Sequence, residues 1–210
     1  MQNITNELLE PMKRLSQSIK SGNLHDAKND ISKFNGLLEN LDLMHSLEQR
    51  IQQRNTVSKF NIKFLTNKVL FDCESILKQK NIIIQLDIDS TILVGNRYNI
   101  YHVIKNLLLT AIDYAKCDNF ICITTKTKND NLCQFELQVL GISISESALN
   151  IMFEPVNLVE EISTTITFTS LYVVRLIMEK HHQKYGVYNN TQGFIFYFNL
   201  ELPASNIINH

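Results

Sequence analysis

Asn96-Arg-Tyr-Asn-Ile-Tyr-His-Val-Ile-Lys-Asn-Leu-Leu-Leu-Thr-Ala-Ile-Asp-Tyr-Ala115 carries the strongest structural signal in the chain. Ile100, Val103, Ile104, Leu107 and Ala111 recur at helical spacing and make one apolar face. Asn106, Thr110 and Asp113 stand at i, i+4 and i+7, so they share a second, polar face suited to the wall of a pocket. Strand-like segments flank the helix, Ile82-Ile-Ile-Gln-Leu-Asp-Ile88 before it and Phe120-Ile-Cys-Ile-Thr-Thr125 after it. Taken alone, this is any amphipathic helix of a domain that mixes helices and strands.

The 210 residues suffice for one large domain or two small ones with a real core. A hydrophobic content of 44% and a charged content of 20% are ordinary for a soluble globular chain. The net charge of -1 gives no electrostatic reason to expect nucleic acid or a membrane surface as partner. Cys73, Cys117, Cys122 and Cys133 are scattered without C-x-x-C spacing, which favours reduced thiols over a metal site. No apolar run is long enough to span a bilayer, and Met1-Gln-Asn-Ile-Thr does not open a signal peptide. The expected location is cytoplasmic, with any sensor on another polypeptide.

Working outward, Ile4, Leu8, Leu15 and Ile19 repeat at helical spacing until Ser21-Gly22-Asn23 breaks the pattern. Asn23 then offers an N-cap, with Asp26 three residues on. In the second helix Ile31, Phe34, Leu38 and Leu41 form a seam widened by Leu37, Met44, Leu47 and Ile51. Two antiparallel helices cannot bury stripes that wide against each other, so a second copy completing a four-helix bundle is expected. The polar run Gln49–Ser58 suits a hinge. Beyond it we expect a strand over Thr56–Ile62, a helix over Lys63–Lys80, and strands at Ile82–Ile88, Phe120–Thr125 and Leu132–Leu140. A poorly patterned region, Gly141–Thr164, precedes a helix near Thr169–His182 and strands Lys184–Tyr188 and Phe194–Leu202. Grouped helices and strands read as an α+β sandwich.

This order of parts resembles the cytoplasmic core of a bacterial sensor histidine kinase over nearly the whole chain. Asn6-Glu-Leu-Leu-Glu-Pro-Met12 is similar to the family's His-Glu-Leu-Arg-Thr-Pro-Leu, and Leu38-Glu-Asn-Leu-Asp-Leu-Met-His-Ser-Leu-Glu48 to the end of its second bundle helix. Phe60-Asn-Ile62 resembles the Phe-Asp-Leu that opens the ATP-binding domain, and Asn106-Leu-Leu-Leu-Thr-Ala111 the N-box Asn-Leu-Leu-Ser-Asn-Ala. Met152-Phe-Glu-Pro155 and Leu202-Pro203 match Ile-Phe-Glu-Pro and the terminal Leu-Pro. The resemblance implies a dimerisation helix hairpin over 1–56 and a GHKL-type ATPase-like α/β sandwich, a mixed sheet packed on helices, over 57–210.

The departures bear on function. Asn6 stands at the phosphoacceptor histidine, where an amide is no useful nucleophile, and Glu7 keeps the general-base position with no imidazole to deprotonate. Thr110 replaces the magnesium-binding asparagine, and Asp113 replaces a phosphate-binding lysine. Asn106 and Tyr114 keep the family pattern. Asp-x-Gly-x-Gly reads Val139-Leu-Gly141-Ile-Ser143, so the carboxylate that accepts from the adenine amino group is gone. Phe168-Thr-Ser170 stands at the lid's Gly-x-Gly, and no glycine occurs from Ile142 to Tyr185. A loop that wraps phosphates with backbone N–H groups uses glycine for close approach and positive φ.

Several histidines are candidates for residual chemistry. His25, beside Asp26 at the start of the second helix, is the best alternative phosphoacceptor, but family phosphotransferases carry theirs part-way along the first helix. His45 and His102 read as packed or surface residues, and His181 matches a common family histidine. The neighbours His181 and His182 diverge on a helix, so no metal site is expected. No cofactor is expected either. The resulting expectation is a homodimeric, catalytically inactive histidine-kinase homologue. It would bind a response regulator receiver domain or a partner histidine kinase, with the family's receiver-facing surface falling on Leu9, Met12, Arg14 and Ser16. The alternatives are an ATP-independent histidine phosphotransferase working through His25 and an atypical kinase with a different phosphate loop.

Overall fold

A computed structural model describes residues 2–48, 57–115, 117–129, 131–154 and 165–204. Helix α1 (Gln2–Lys20) turns through Ser21-Gly22-Asn23 into α2 (Leu24–Glu48), with Gly22 at a φ of +71°. Asn23 caps α2, its Oδ1 accepting from the Asp26 N–H at 3.2 Å. The chain folds back so that Ser18 Oγ reaches Asp30 Oδ2 at 2.7 Å. The side chains of Asn6, Glu7 and His25 lie outside the described part, as do residues 49–56 of the expected hinge.

The remainder is a seven-stranded mixed sheet carrying helices on one face. In chain order the elements are β1 (Ser58–Asn61), α3 (Ile62–Asp72), α4 (Glu74–Gln79), β2 (Ile83–Asp87), β3 (Ile92–Gly95) and α5 (Arg97–Tyr114). Then come β4 (Phe120–Asn129), β5 (Leu132–Leu140), α6 (Glu146–Ile151), α7 (Thr165–Lys180), β6 (Tyr185–Asn190) and β7 (Gly193–Glu201). The sheet order is β1-β3-β7-β5-β4-β2, with β6 also pairing with β7. Only the β2–β4 pair is parallel among the described pairings.

Register explains the core. Ile121, Val139 and Phe194 stand in one cross-strand row, Ile123, Leu137 and Phe196 in the next, and Thr125, Phe135 and Phe198 in a third. Their apolar members are buried against Ile100, Val103, Ile104, Leu107 and Ala111 of α5, as their spacing predicted, and against Val173, Val174 and Ile177 of α7. The opposite face is polar and is satisfied across strands. Gln134 bonds Asn199 at 3.1 Å, Gln138 bonds Asn190 at 3.2 Å, and Lys126 bonds the buried Glu136 at 2.6 Å.

Three sequence expectations change. The helix expected over Lys63–Lys80 is two helices, because Cys73 takes a non-helical φ/ψ of -100° and 4°. Strand β3, Ile92–Gly95, was not anticipated; at four residues it is too short to show an alternation. Helix α6 forms inside the poorly patterned region, capped by Ser145. Helix α2 has two apolar flanks. Ile31 and Leu38 are 44% and 43% exposed, whereas Ala27, Leu37 and Leu43 are buried, and Leu43 belongs to the main core cluster. The inner flank packs against α7, with Asn40 and Glu39 reaching Asn106 and Lys105 of α5, and Ile31 and Leu38 stay on the outer flank, where a second copy is expected.

Candidate functional site

Helix α5 begins at the N-cap Asn96, whose side chain accepts from the Asn99 N–H at 3.0 Å. The cap is anchored from α7: His181 Nε2 accepts from the Asn96 N–H at 3.2 Å while its Nδ1 donates to the Ile177 carbonyl at 2.8 Å. Both ring nitrogens are thereby committed to a neutral imidazole, and burial lowers the His181 pKa further. His181 is thus a structural pin between two helices.

The polar face of α5 meets the chain's own side chains. Asn106 is almost fully buried and exchanges two hydrogen bonds with Asn40 of α2, at 3.1 and 3.0 Å. Asn40 Nδ2 also reaches Ser170 Oγ of α7 at 3.2 Å. Three helices therefore meet at one buried, mutually satisfied polar cluster. One turn on, the Thr110 hydroxyl is buried without a hydrogen-bond partner among the described residues. Asp113 faces Lys80 at 3.7 Å, and the same ammonium donates to the Ile112 carbonyl at 2.6 Å. Tyr114 packs edge-on against Phe194, ring centroids 5.6 Å apart, and burial raises its pKa.

At the end of β5, Val139 is fully buried opposite Phe194. Gly141 has a φ of +73° and donates its N–H to the Gln192 carbonyl at 2.8 Å, so its conformational freedom serves the turn out of the strand. Asn106, Thr110, Asp113 and Tyr114 lie along one helix, and Tyr114, Phe194 and Val139 form an apolar contact at its end. Two cavities, of about 330 and about 670 Å³, are lined by other residues near the N-terminal half of α5. On α1, Leu9, Met12, Arg14 and Ser16 are all exposed.

Among the described residues no cluster of three or more potential metal-ligating side chains occurs. No described helix is long and apolar enough to cross a membrane. Sequence reading missed Asn40 and Lys80. A signal for Asn40 existed, since it interrupts the apolar series Leu37, Leu43 and Leu47 of α2 with an amide. Nothing in the sequence marked Lys80 as the partner of Asp113.

No family profile matches the sequence. The heme sensor protein HssS of Staphylococcus aureus is 22% identical over 220 residues, covering 99% of this chain and 47% of that protein. The chain thus spans about half the length of the curated relatives it matches. Acinetobacter baumannii histidine kinase AdeS superimposes with a TM-score of 0.67 at 23% identity, covering 95% of this chain and 98% of that one. This is the histidine-kinase fold. The catalytic domain of histidine kinase ThkA aligns with a TM-score of 0.62 at 22% identity over 70% of this chain and 96% of that one. ThkA in complex with response regulator protein TrrA aligns with a TM-score of 0.64 at 21% identity, covering 95% and 60%.

The residues that the sequence resemblance assigns to a magnesium-bound nucleotide do not fit that group as they stand. The Asn106 amide is already paired within the chain, Thr110 offers one hydroxyl, Asp113 faces Lys80, and Val139 presents no acceptor.

Proposed function

We propose that this chain is a catalytically inactive histidine-kinase homologue of a two-component system, working in the cytoplasm as a homodimer through α1 and α2. Its partner would be a response regulator receiver domain or an active histidine kinase, met on the α1 surface around Leu9, Met12, Arg14 and Ser16. The observation that carries the reading is the Asn40–Asn106–Ser170 cluster, because the chain's own amide occupies the polar group that a ligand would need. The solved ThkA complex with TrrA supports a receiver domain as the partner class. Exposed Leu9 and Met12 give that surface apolar anchors.

The test is calorimetry against the receiver domains of the source organism, with the Met12→Glu and Arg14→Ala variants alongside. Binding of at least one receiver, weakened about tenfold or more by Met12→Glu, is expected. Incubation with a phosphorylated receiver gives the opposing outcome. An acid-labile label on this protein that disappears in His25→Ala would replace this reading with phosphotransfer through His25.

A further inference from the structure

The N-terminal half of α5 and the outer face of α3 build a different kind of surface. Phe64 and Phe71, seven residues apart on one face of α3, are 63% and 76% exposed, with Lys68 between them. Arg97 of α5 lies over the Phe64 ring at 5.8 Å from its centroid, and Tyr98 is exposed beside it. Behind them His102 is held edge-on between the rings of Tyr98 and Tyr101, at centroid distances of 4.5 and 5.3 Å. Lys68 and Lys105 approach the Tyr101 ring at 5.2 and 6.0 Å. Beside the Phe64 and Phe71 rings, which are not part of its lining, runs a groove of about 670 Å³ lined by Leu65, Lys68, Arg97, Tyr98, Tyr101 and Glu39 of α2.

Its cations are paired with carboxylates except one. The lining holds Lys68, Arg97 and Lys105 against the single carboxylate of Glu39. Lys105 pairs with Glu39 at 2.9 Å, and Lys68 pairs at the rim with Asp72, whose carboxylate also accepts from the Tyr101 hydroxyl at 2.6 Å. Among the described residues Arg97 has no carboxylate partner, only the face of Phe64. Two large aromatic side chains left in water on one helix face, flanked by an unmatched guanidinium, mark a recognition surface more than a solvated helix.

We propose that the exposed face of α3, with the groove beside it, docks an acidic amphipathic helix of a partner protein. Apolar side chains of that helix would seat on Phe64 and Phe71, and a carboxylate between them would pair with Arg97. Charge complementarity selects this occupant: a basic or neutral helix would leave Arg97 unmatched, and burying it unpaired is costly. The surface is separate from the α1 face and does not depend on the reading given for it.

The test presents the whole chain to a displayed library of helical peptides, selecting on wild type and counter-selecting on Phe64→Ala/Phe71→Ala. Enriched peptides should carry Asp or Glu between apolar positions at helical spacing. Their affinity should fall about tenfold or more in Arg97→Glu and in the double alanine variant. Both variants change exposed side chains, and unchanged circular dichroism verifies that they fold. Peptides without acidic enrichment, binding unaffected by either variant, or no enrichment at all would overturn the proposal. Sedimentation velocity and co-sedimentation with phosphatidylglycerol-containing vesicles complete it. Self-association or vesicle binding that is lost in the double variant would assign the surface to a second copy or a membrane instead.

Discussion

The two halves of α5 have opposite fates. Toward its C-terminal end, Asn106 is paired within the chain, Thr110 is sealed, and Asp113 is matched by Lys80. Toward its N-terminal end, Arg97 and Tyr98 stand in solvent beside aromatic rings and a groove. One helix therefore presents a polar surface used up in holding its own fold and another left available. A polar helix face is not thereby available to a ligand, because buried amides find internal partners when their environment supplies them.

The contrast breaks most visibly if a carboxylate is placed at the closed end of the helix. Val139→Asp puts one in a fully buried site opposite Phe194. It should cost at least about 3 kcal/mol in urea unfolding and yield no nucleotide binding. A stable variant would mean that this end of the pocket is open.

Asn106→Ala is expected to cost about 1–3 kcal/mol, since it takes the donor from the buried Asn40 Oδ1 and leaves Asn40 Nδ2 only Ser170. In a double-mutant cycle, Asn40→Ala and Asn106→Ala should couple by about 1 kcal/mol or more. Additive losses would show that the three-helix cluster is not a unit.

Acid sharpens the picture for the open half. Burial pushes the His102 pKa down to about 4, and that of His181 is lowered for the same reason. Both groups bind protons more readily unfolded, so their contribution to stability is complete above the unfolded pKa and drains away as pH falls toward the folded value. For His102 the loss between about pH 7 and about pH 5.5 should be about 1 kcal/mol, read from urea midpoints. His102→Gln should flatten that slope. The smallest effect belongs to Lys105→Ala, which removes a pair with the half-exposed Glu39 and should change stability by less than about 1 kcal/mol.

How far the sequence reveals this depends on what each feature rests on. The apolar face of α5 and the strands β4, β5 and β7 follow from period alone, because alternation and helical spacing are local properties. The substitutions at Thr110, Asp113, Val139 and Ser143 are visible as residue types. What they touch is not visible. Helix α2 is apolar on more than one flank, so its pattern does not say whether Leu38 or Leu37 faces inward; packing against α5 and α7 decides it. Asn40 acquires its role only after that choice, and the α3–α5 groove only after two helices distant in sequence are set side by side.

The proposed lack of nucleotide binding is tested most directly by titrating magnesium-ATP into the whole chain and reading the heat by isothermal calorimetry. With Asn106 paired, Asp113 anionic and Val139 sealed, no saturable heat is expected up to about 1 mM, a binding free energy of about -4 kcal/mol. A saturable isotherm below that concentration, dependent on magnesium, would contradict it.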